Sequence, residues 1–139
     1  MYRTTISPRS YELDSLGHIN NAVIASWFEV GRVGFVENLT TGDVTLDAGA
    51  GWVLASVTLD YRQETFYGTD VEIQCFPVKI GNSSLHLACR MYQGDRLTVE
   101  GRAVMVHRDP EGGGGATIPA ALRERLEAHL LSDSDPGKY

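Results

Sequence analysis

A long segment with apolar residues on nearly every helical face is the strongest constraint on how this 139-residue chain can fold. From about Ala22 to Asn38, apolar side chains recur at helical spacing, and four valines extend the hydrophobic character to the remaining faces. The residues at helical spacing are Ile24, Trp27, Phe28, Gly31 and Phe35, and the valines are Val23, Val30, Val33 and Val36. Because such a helix is normally enclosed by protein, we expect it to be central, with Gly31 and Gly34 allowing a sheet to approach it closely.

Segments with strand periodicity lie on both sides of this helix. Residues 2–7 can form a short opening strand that ends at Pro8. After the polar connection from Thr40 to Gly51, apolar and polar residues alternate in a way that predicts a half-buried strand. The apolar members of this alternation are Val53, Ala55, Val57, Leu59 and Tyr61. Three further segments, 71–75, 85–91 and 97–107, are joined by turns at 81–83 and 93–95 and predict an antiparallel meander, which makes the chain an α+β protein.

The C-terminal part is predicted to contain a linker and a short helix. Residues 110–115 include four consecutive glycines and are expected to be a flexible linker. Pro119 can begin a helix whose apolar residues, Leu122, Leu126 and Leu130, recur at i,i+4 spacing. No internal repeat is visible, so we predict one domain over residues 1–131 and a flexible tail over 132–139.

Composition excludes several classes of protein. The formal net charge of −6 disfavours nucleic-acid binding and attachment to an anionic membrane, and no run of roughly 18 apolar residues predicts a membrane span. The N-terminus lacks the apolar stretch of a secretion signal, so we expect a cytoplasmic protein. Cys75 and Cys89 are interpreted as reduced core residues. The spacing of His86, His107 and His129 does not suggest a metal site.

A polar loop just before the apolar helix is the main candidate for a functional site. Asp14, His18, Asn20 and Asn21 fall within eight residues, and Asn20 or Asn21 is a suitable N-cap. A helix start offers unpaired backbone N–H groups and a positive dipole end, so it can bind a carboxylate, a phosphate or a developing oxyanion. Without further information, a turn followed by a helix cap is the simpler interpretation.

Two motifs in this region resemble a known family. Asp14-Ser15-Leu16-Gly17-His18-Ile19-Asn20-Asn21-Ala22, followed by Trp27-Phe28-Glu29-Val30-Gly31-Arg32, is similar to the signature of hotdog-fold thioesterases of the 4-hydroxybenzoyl-CoA thioesterase-like group. Segments 60–62, 66–68 and 79–85 are similar to that group in order and spacing, and the resemblance covers roughly residues 2–130. It implies a hotdog fold, in which a curved antiparallel β-sheet wraps around one long central α-helix, here with a short C-terminal helix. It also implies a homodimer or tetramer with active sites at the dimer interface.

The activity that the resemblance implies is hydrolysis of an acyl-CoA thioester to the free acid and CoA, with no cofactor beyond the CoA of the substrate. Asp14 matches the family's aspartate, which acts as general base or as nucleophile. The backbone N–H that matches the family's oxyanion donor is that of Asn21, and Gly17 shapes the turn before it. His18 either contacts the substrate, hydrogen-bonds Asp14 or ties down the loop.

Several alternatives remain open at this stage. Glu29 is a rival carboxylate on the helix, although pairing with Arg32 at i,i+3 is the favoured interpretation. A hotdog dehydratase would use His18 with Glu29, which lie 11 residues apart. A non-catalytic acyl-CoA-binding protein of the same fold is the third possibility. Related acyl-carrier-protein thioesterases have Asn where this chain has Leu16, which favours CoA over a carrier protein as the carrier of the acyl group.

Contacts to CoA are predicted from cationic and turn residues. The family's nucleotide contacts cluster near the hairpin that is matched here by residues 79–84, so Lys79 is the best single candidate and Ser83 is a second. Arg62 and Arg90 are further cations that can contribute. Gly17 and Asn20 complete the predicted substrate-binding set, although Asn20 is most simply a cap.

Overall fold

In the described part of the chain, five antiparallel strands form one sheet against which two α-helices pack. This computed structural model describes residues 1–40, 51–109, 111–112 and 114–131, so nearly all of the predicted connection after the first helix and the whole predicted tail lie outside the described residues. The elements are β1 (Tyr2–Ile6), α1 (Asn21–Thr40), β2 (Trp52–Tyr61), β3 (Val71–Ile80), β4 (Ser84–Gln93), β5 (Arg96–His107) and α2 (Ala120–Ala128). The sheet order β1-β3-β4-β5-β2 confirms the α+β class and the predicted meander of β3, β4 and β5.

Helix α1 packs mainly against β1 and β3 and buries one of its faces. Gly31 allows the close approach that the sequence predicts, because an added Cβ would lie 2.9 Å from Cγ2 of Ile73. The opposite face is open, since Val30 keeps 54% and Val33 keeps 45% of its surface exposed. The expectation that protein encloses this helix on every side is therefore wrong for a single chain, whose sheet covers only one face.

Strand β2 forms one edge of the sheet and pairs with β5. Its register shifts between Leu54 and Ser56, so Ala55 is the extra residue of a β-bulge. The bulge reverses the alternation, and the predicted placement of Val53 and Ala55 on the same face as the later apolar residues is wrong. The residues of β2 that lie opposite inward-facing residues of β5, and so face the helix, are Trp52, Leu54, Val57, Leu59 and Tyr61.

The two cysteines lie directly opposite each other on β3 and β4. Cys75 and Cys89 are both buried and free, as predicted, and their Sγ atoms are 2.8 Å apart. The hydrogen bond with Cys89, together with burial, raises the pKa of the Cys75 thiol well above its ordinary value, against a smaller opposing effect of the Arg32 charge.

The segment after β5 turns back on itself. The backbone N–H of Ala116 donates a 2.8 Å hydrogen bond to the carbonyl of His107, and an isolated bridge joins Arg108 to Gly115, so the described residues here do not form the free linker that their glycines predict. Helix α2 begins after Pro119 and buries Leu122 and Leu126. Leu130 lies beyond the end of α2 and is 46% exposed, so its predicted place on the apolar helical face is wrong. No helix among the described residues is long and apolar enough to cross a membrane.

Candidate active site

The loop before α1 is a tight turn closed by the carboxylate of Asp14. Its Oδ1 atom accepts hydrogen bonds from the backbone N–H groups of Leu16 and His18 at 2.9 and 3.0 Å. The backbone N–H of Asp14 donates a 2.7 Å bond to the carbonyl of His18. Gly17 has a φ of +80°, a conformation that favours glycine, and a Cβ there would meet nothing within 4 Å. The glycine is therefore needed for backbone conformation rather than for space.

The second carboxylate oxygen of Asp14 makes no hydrogen bond to any described residue. Asp14 lines a cavity of about 370 Å³ between the loop and the C-terminal end of β2. His18 and Asn21 line the same cavity, so the structure brings together three of the four residues predicted to be catalytic. The other lining residues are Leu16, Ile19, Ile24, Tyr61, Arg62, Gln63, Glu64 and Thr65.

The start of α1 contributes a backbone donor to this cavity. Oδ1 of Asn20 accepts a 2.7 Å hydrogen bond from the N–H of Ala22, which identifies Asn20 as the N-cap and leaves its side chain committed to the helix. Asn21 is the first helical residue, and its backbone N–H has no acceptor among the described residues. The Asn21 amide is thus available for an anionic or partly charged oxygen, as the sequence predicts.

The imidazole of His18 does not bond Asp14. Its Nε2 atom lies 3.4 Å from a carboxylate oxygen of Glu64, and its ring meets the ring of Phe66 edge-on at a centroid distance of 5.7 Å. The hydrogen bond from His18 to the Asp14 carboxylate, one of the roles considered, is therefore absent. His18 instead contacts Glu64 and Phe66 in the segment 64–66.

Sequence analysis did not predict that Thr65 and Tyr61 line this cavity. Thr65 is buried to 2% exposure, and its hydroxyl oxygen has no hydrogen-bond partner among the described residues. Tyr61 donates a 3.3 Å hydrogen bond from its hydroxyl to the carbonyl of Asn21, and burial raises the pKa of its phenol. Tyr61 lies within a segment that carried the family resemblance, but nothing in the sequence distinguishes Thr65 from an ordinary loop threonine.

Arg62 reaches the cavity but is already paired. Its Nε and Nη2 atoms lie 3.1 and 3.0 Å from Oε2 of Glu100, and its Nη2 atom lies 4.0 Å from Asp60. Because the guanidinium is about half exposed, these pairs are solvated and exchangeable rather than locked.

Glu29 lies elsewhere in the molecule. It is exposed on α1 and lines a second cavity of about 170 Å³ with Arg32, and no ion pair joins the two residues in the described chain. The favoured pairing is thus wrong, because Arg32 is only 6% exposed and lies inside the fold while the Glu29 carboxylate stays in solvent. Eight helical residues, roughly 12 Å of helix, separate Asn21 from Glu29, so one chain does not combine His18 and Glu29 into a dehydratase pair.

Lys79 and Ser83 flank the turn between β3 and β4, at the opposite end of the sheet. Phe66, beside His18, is held by Gln93 at the far end of β4. The ten residues of a strand of this length span about 30 Å, so Lys79 and Ser83 do not reach the Asp14 cavity within one chain. Arg90, the remaining cation considered for CoA, is buried beside the ring of Phe76.

Comparison with known proteins identifies the class to which this fold and site belong. The model of the thioesterase-like superfamily matches residues 8–126, so the chain belongs to that superfamily. It has the hotdog fold, which confirms the resemblance seen in the loop and helix motifs. No curated protein sequence matches the chain.

Solved structures agree with this assignment. A predicted thioesterase from Bacillus stearothermophilus is 32% identical, with a TM-score of 0.85 and 98% of each chain covered. A thioesterase from Thermus thermophilus, whose structure was determined with coenzyme A and Zn, is 29% identical, with a TM-score of 0.79 and 91% of each chain covered. A probable thioesterase from Escherichia coli is 20% identical, with a TM-score of 0.78 and 93% of this chain and 98% of that chain covered, and shows a likeness of fold alone.

Proposed function

We propose that the protein hydrolyses an acyl-CoA thioester to the free acid and CoA, with Asp14 as general base. The observation that carries this proposal is that Asp14 and Asn21 line one cavity. Among the described residues, one carboxylate oxygen of Asp14 has no hydrogen bond and the backbone N–H of Asn21 has no acceptor. Thioester hydrolysis needs a group that activates water and a donor that faces the oxygen on which negative charge develops. Membership of the thioesterase-like superfamily supports the reaction class.

The proposed steps use these groups in turn. Asp14 takes a proton from a water that attacks the carbonyl carbon, and the N–H of Asn21 stabilises the oxyanion, a contribution of ~10²–10³ in rate for such a donor. The hydroxyl of Thr65 has no partner among the described residues and is buried from solvent, and rotation of this side chain would turn it toward the attacking water in the cavity. Collapse of the intermediate breaks the carbon–sulfur bond, and the proton on Asp14 passes to the departing CoA thiolate. No separate cofactor is needed for these steps.

Direct attack by the Asp14 carboxylate is the alternative route. It would form an anhydride that water then opens. Repeated turnover in ¹⁸O-labelled water, followed by mass spectrometry of the peptide that contains Asp14, separates the two routes. Label in Asp14 would support direct attack with opening at its own carboxyl carbon. Opening at the acyl carbon leaves Asp14 unlabelled, so hydroxylamine is used to trap the anhydride as an Asp14 hydroxamate, and the absence of both label and hydroxamate would support general-base catalysis.

We also propose that the active unit is at least a homodimer, paired through β2. This strand is ten residues long, has an open edge and exposes apolar side chains, among them Val53 at 41% and Val57 at 47%. Such an edge is normally covered, and an antiparallel pairing of two copies of β2 would cover it by symmetry. The exposed valines of α1 lie on the same side of the sheet as the helix-facing residues of β2 and would join the interface.

Dimerisation through β2 would also change which residues surround each Asp14. In an antiparallel pair, the Trp52 end of one β2 lies beside the Tyr61 end of the other. The β3–β4 turn of the partner, with its copies of Lys79 and Ser83, would then lie at the same end of the combined sheet as Asp14. Their predicted role in binding the CoA phosphates is therefore proposed across the interface, together with Arg62 from the chain that contributes Asp14.

A thiol-release assay over short, long and aromatic acyl-CoAs tests this function. Asp14→Asn keeps an oxygen that can close the turn but removes the base, so we expect kcat to fall by ~10²–10⁴. Glu29→Gln and Asp95→Asn, an exposed aspartate in the β4–β5 turn, serve as controls and should stay close to wild type. Full activity in Asp14→Asn would rule out Asp14 as the base. Loss of activity only in Glu29→Gln would identify Glu29, on the helix, as the base. Hydration of an enoyl-CoA by the purified protein would indicate a dehydratase, and tight acyl-CoA binding without thiol release would indicate a binding protein.

A further inference from the structure

A buried cation that has no partner among the described residues lies in the second cavity. Arg32 on α1 is 6% exposed and makes no hydrogen bond or ion pair with any described residue. A buried charge is costly unless a counter-charge or hydrogen bonds compensate it. Arginine side chains stay charged in proteins, so compensation for the charge of Arg32 is to be sought outside the described residues, in a bound ligand or a partner subunit.

Apart from Arg32 and Glu29, the residues that line this cavity are apolar. Its walls are formed by Val33, Val36, Trp52, Leu54 and Met105, and its volume is about 170 Å³. Glu29 is at the solvent side, where its exposed carboxylate is screened and forms no ion pair with Arg32. A mainly apolar cavity with one buried guanidinium that has no partner among the described residues suits a hydrocarbon group that ends in an anion.

This cavity is connected to the Asp14 site by one apolar surface. The helix-facing side of β2 runs from Tyr61, which lines the Asp14 cavity, through Leu59 and Val57 to Leu54 and Trp52, which line the Arg32 cavity. Because α1 packs over β1 and β3, this side of β2 stays partly open within one chain, with Leu54 at 43% and Val57 at 47% exposure, and in the proposed dimer it would lie at the interface. Along α1, the 11 residues from Asn21 to Arg32 correspond to roughly 16 Å, the scale of a medium-length acyl chain.

We propose that Arg32 is a specificity-determining residue that binds a carboxylate at the far end of the acyl group. The substrate class is then an ω-carboxyacyl-CoA of medium length, whose thioester lies at Asp14 and whose methylenes lie along the helix-facing side of β2. This inference rests on the proposed hydrolysis at Asp14, which it deepens by naming the acyl group.

The hydrolysis rates of two matched substrates test the proposed role of Arg32. Medium-chain ω-carboxyacyl-CoA and the unsubstituted acyl-CoA of equal length are compared by kcat/KM in wild type and in Arg32→Met, which keeps most of the side-chain volume but removes the charge. We expect wild type to favour the carboxylated substrate by about tenfold or more, as a charge-assisted hydrogen bond would provide, and Arg32→Met to lose that preference while it still hydrolyses the unsubstituted substrate. Arg32→Lys should keep part of the preference. Arg102→Met, which removes an exposed cation and gives the same net charge, should keep all of it.

A binding measurement makes the outcome independent of hydrolysis. Calorimetry compares two non-hydrolysable thioethers of CoA, one with an ω-carboxyalkyl chain and one with an alkyl chain of equal length. Tighter binding of the carboxylated thioether by wild type and by Arg32→Lys, but not by Arg32→Met, supports the subsite even if no thioester is hydrolysed, in which case only the proposed function fails. Equal binding of the two thioethers by wild type overturns the subsite. A uniform loss of activity in Arg32→Met together with loss of the dimer overturns it too, since Arg32 would then pair with the partner subunit.

Discussion

The backbone N–H of His18 donates a 3.0 Å hydrogen bond to Oδ1 of Asp14, and the N–H of Asp14 donates a 2.7 Å bond to the carbonyl of His18. The two residues thus close the turn from both sides. One carboxylate oxygen is used by the turn, while the other makes no hydrogen bond to the described residues. The Asp14 side chain can therefore close the turn and also act in catalysis as proposed, although sequence analysis treats these two roles as alternatives.

Gly17 should matter more for activity than for stability. Gly17→Ala places a side chain at a φ of +80°, which costs about 1–2 kcal/mol even though a Cβ meets nothing within 4 Å. The matched control is Gly94→Ala, at a φ of +63° in the β4–β5 turn with the same open space. Urea unfolding should show similar losses for both variants, and kcat/KM should fall by about tenfold or more only in Gly17→Ala. Equal activities of the two variants would argue against a role for the turn geometry.

Thr65→Val should lower kcat without lowering the free energy of unfolding. The substitution removes a buried hydroxyl that has no described partner, so the free energy of unfolding should stay constant or rise. If the hydroxyl holds the attacking water, kcat should nevertheless fall about tenfold. In the control Thr98→Val, the lost hydroxyl bonds the carbonyl of Met91 at 3.2 Å, so stability should fall by about 1 kcal/mol while activity is kept. Unchanged kcat in Thr65→Val would remove Thr65 from the mechanism.

Two buried glutamines should respond differently to the same change. Gln93 accepts a hydrogen bond from the N–H of Phe66 and donates to the carbonyls of Phe66 and Thr69 at 2.7 and 2.9 Å. Gln93→Leu leaves these groups unpaired and should cost about 2–3 kcal/mol of unfolding free energy. Gln74 has a buried amide oxygen without a described partner and donates only one hydrogen bond, from Nε2 to Glu72 at 2.7 Å, so Gln74→Leu should cost clearly less than Gln93→Leu. Denaturant unfolding at one fixed protein concentration measures both, and an equal cost would contradict this account.

The open face of α1 should control the oligomeric state. Val30→Lys places a charge on a face that is 54% exposed in one chain but is proposed to be covered by the partner, and symmetry puts that charge at the interface twice. We expect the variant to be monomeric and to lose most of its activity. Leu130→Lys, at 46% exposure beyond α2, is the control that should leave both unchanged. Light scattering and thiol release report the two properties, and a monomeric variant with full activity would show that each chain carries a complete site.

The cysteine pair should make stability depend on alkaline pH. The bond to Cys89 and burial raise the pKa of Cys75, so the folded protein keeps a proton that the unfolded chain releases near its ordinary thiol pKa, about 8.5. The unfolded state then binds fewer protons, and the free energy of unfolding should fall as the pH rises above that value. Cys75→Ala should flatten this dependence between pH 7.5 and 9.5, as followed by urea unfolding. An identical slope in wild type and variant would exclude Cys75 as its source.

Local chemistry was sufficient to predict some parts of the molecule but not others. The Asn20 cap and the close approach at Gly31 follow from residue type and spacing alone, and both are observed. The position of Lys79 relative to Asp14 depends on strand length and sheet order, which periodicity does not supply. The sequence also did not predict that Arg32 has no ion pair with any described residue. Glu29 is the one carboxylate three or four residues away on the helix, and it suggested a pair.

The bulge at Ala55 has a consequence for how this site could diverge. Removing that one residue would join Leu54 directly to Ser56 and restore strict alternation in β2, while Trp52 and Leu54 would stay on the helix side and every pair with β5 would be kept. The walls around Arg32 would then keep the same side chains, because Leu54 would still lie opposite Met105. A single-codon deletion could thus remove the bulge and leave both the distal end of the proposed acyl site and the turn at Asp14 in their present register.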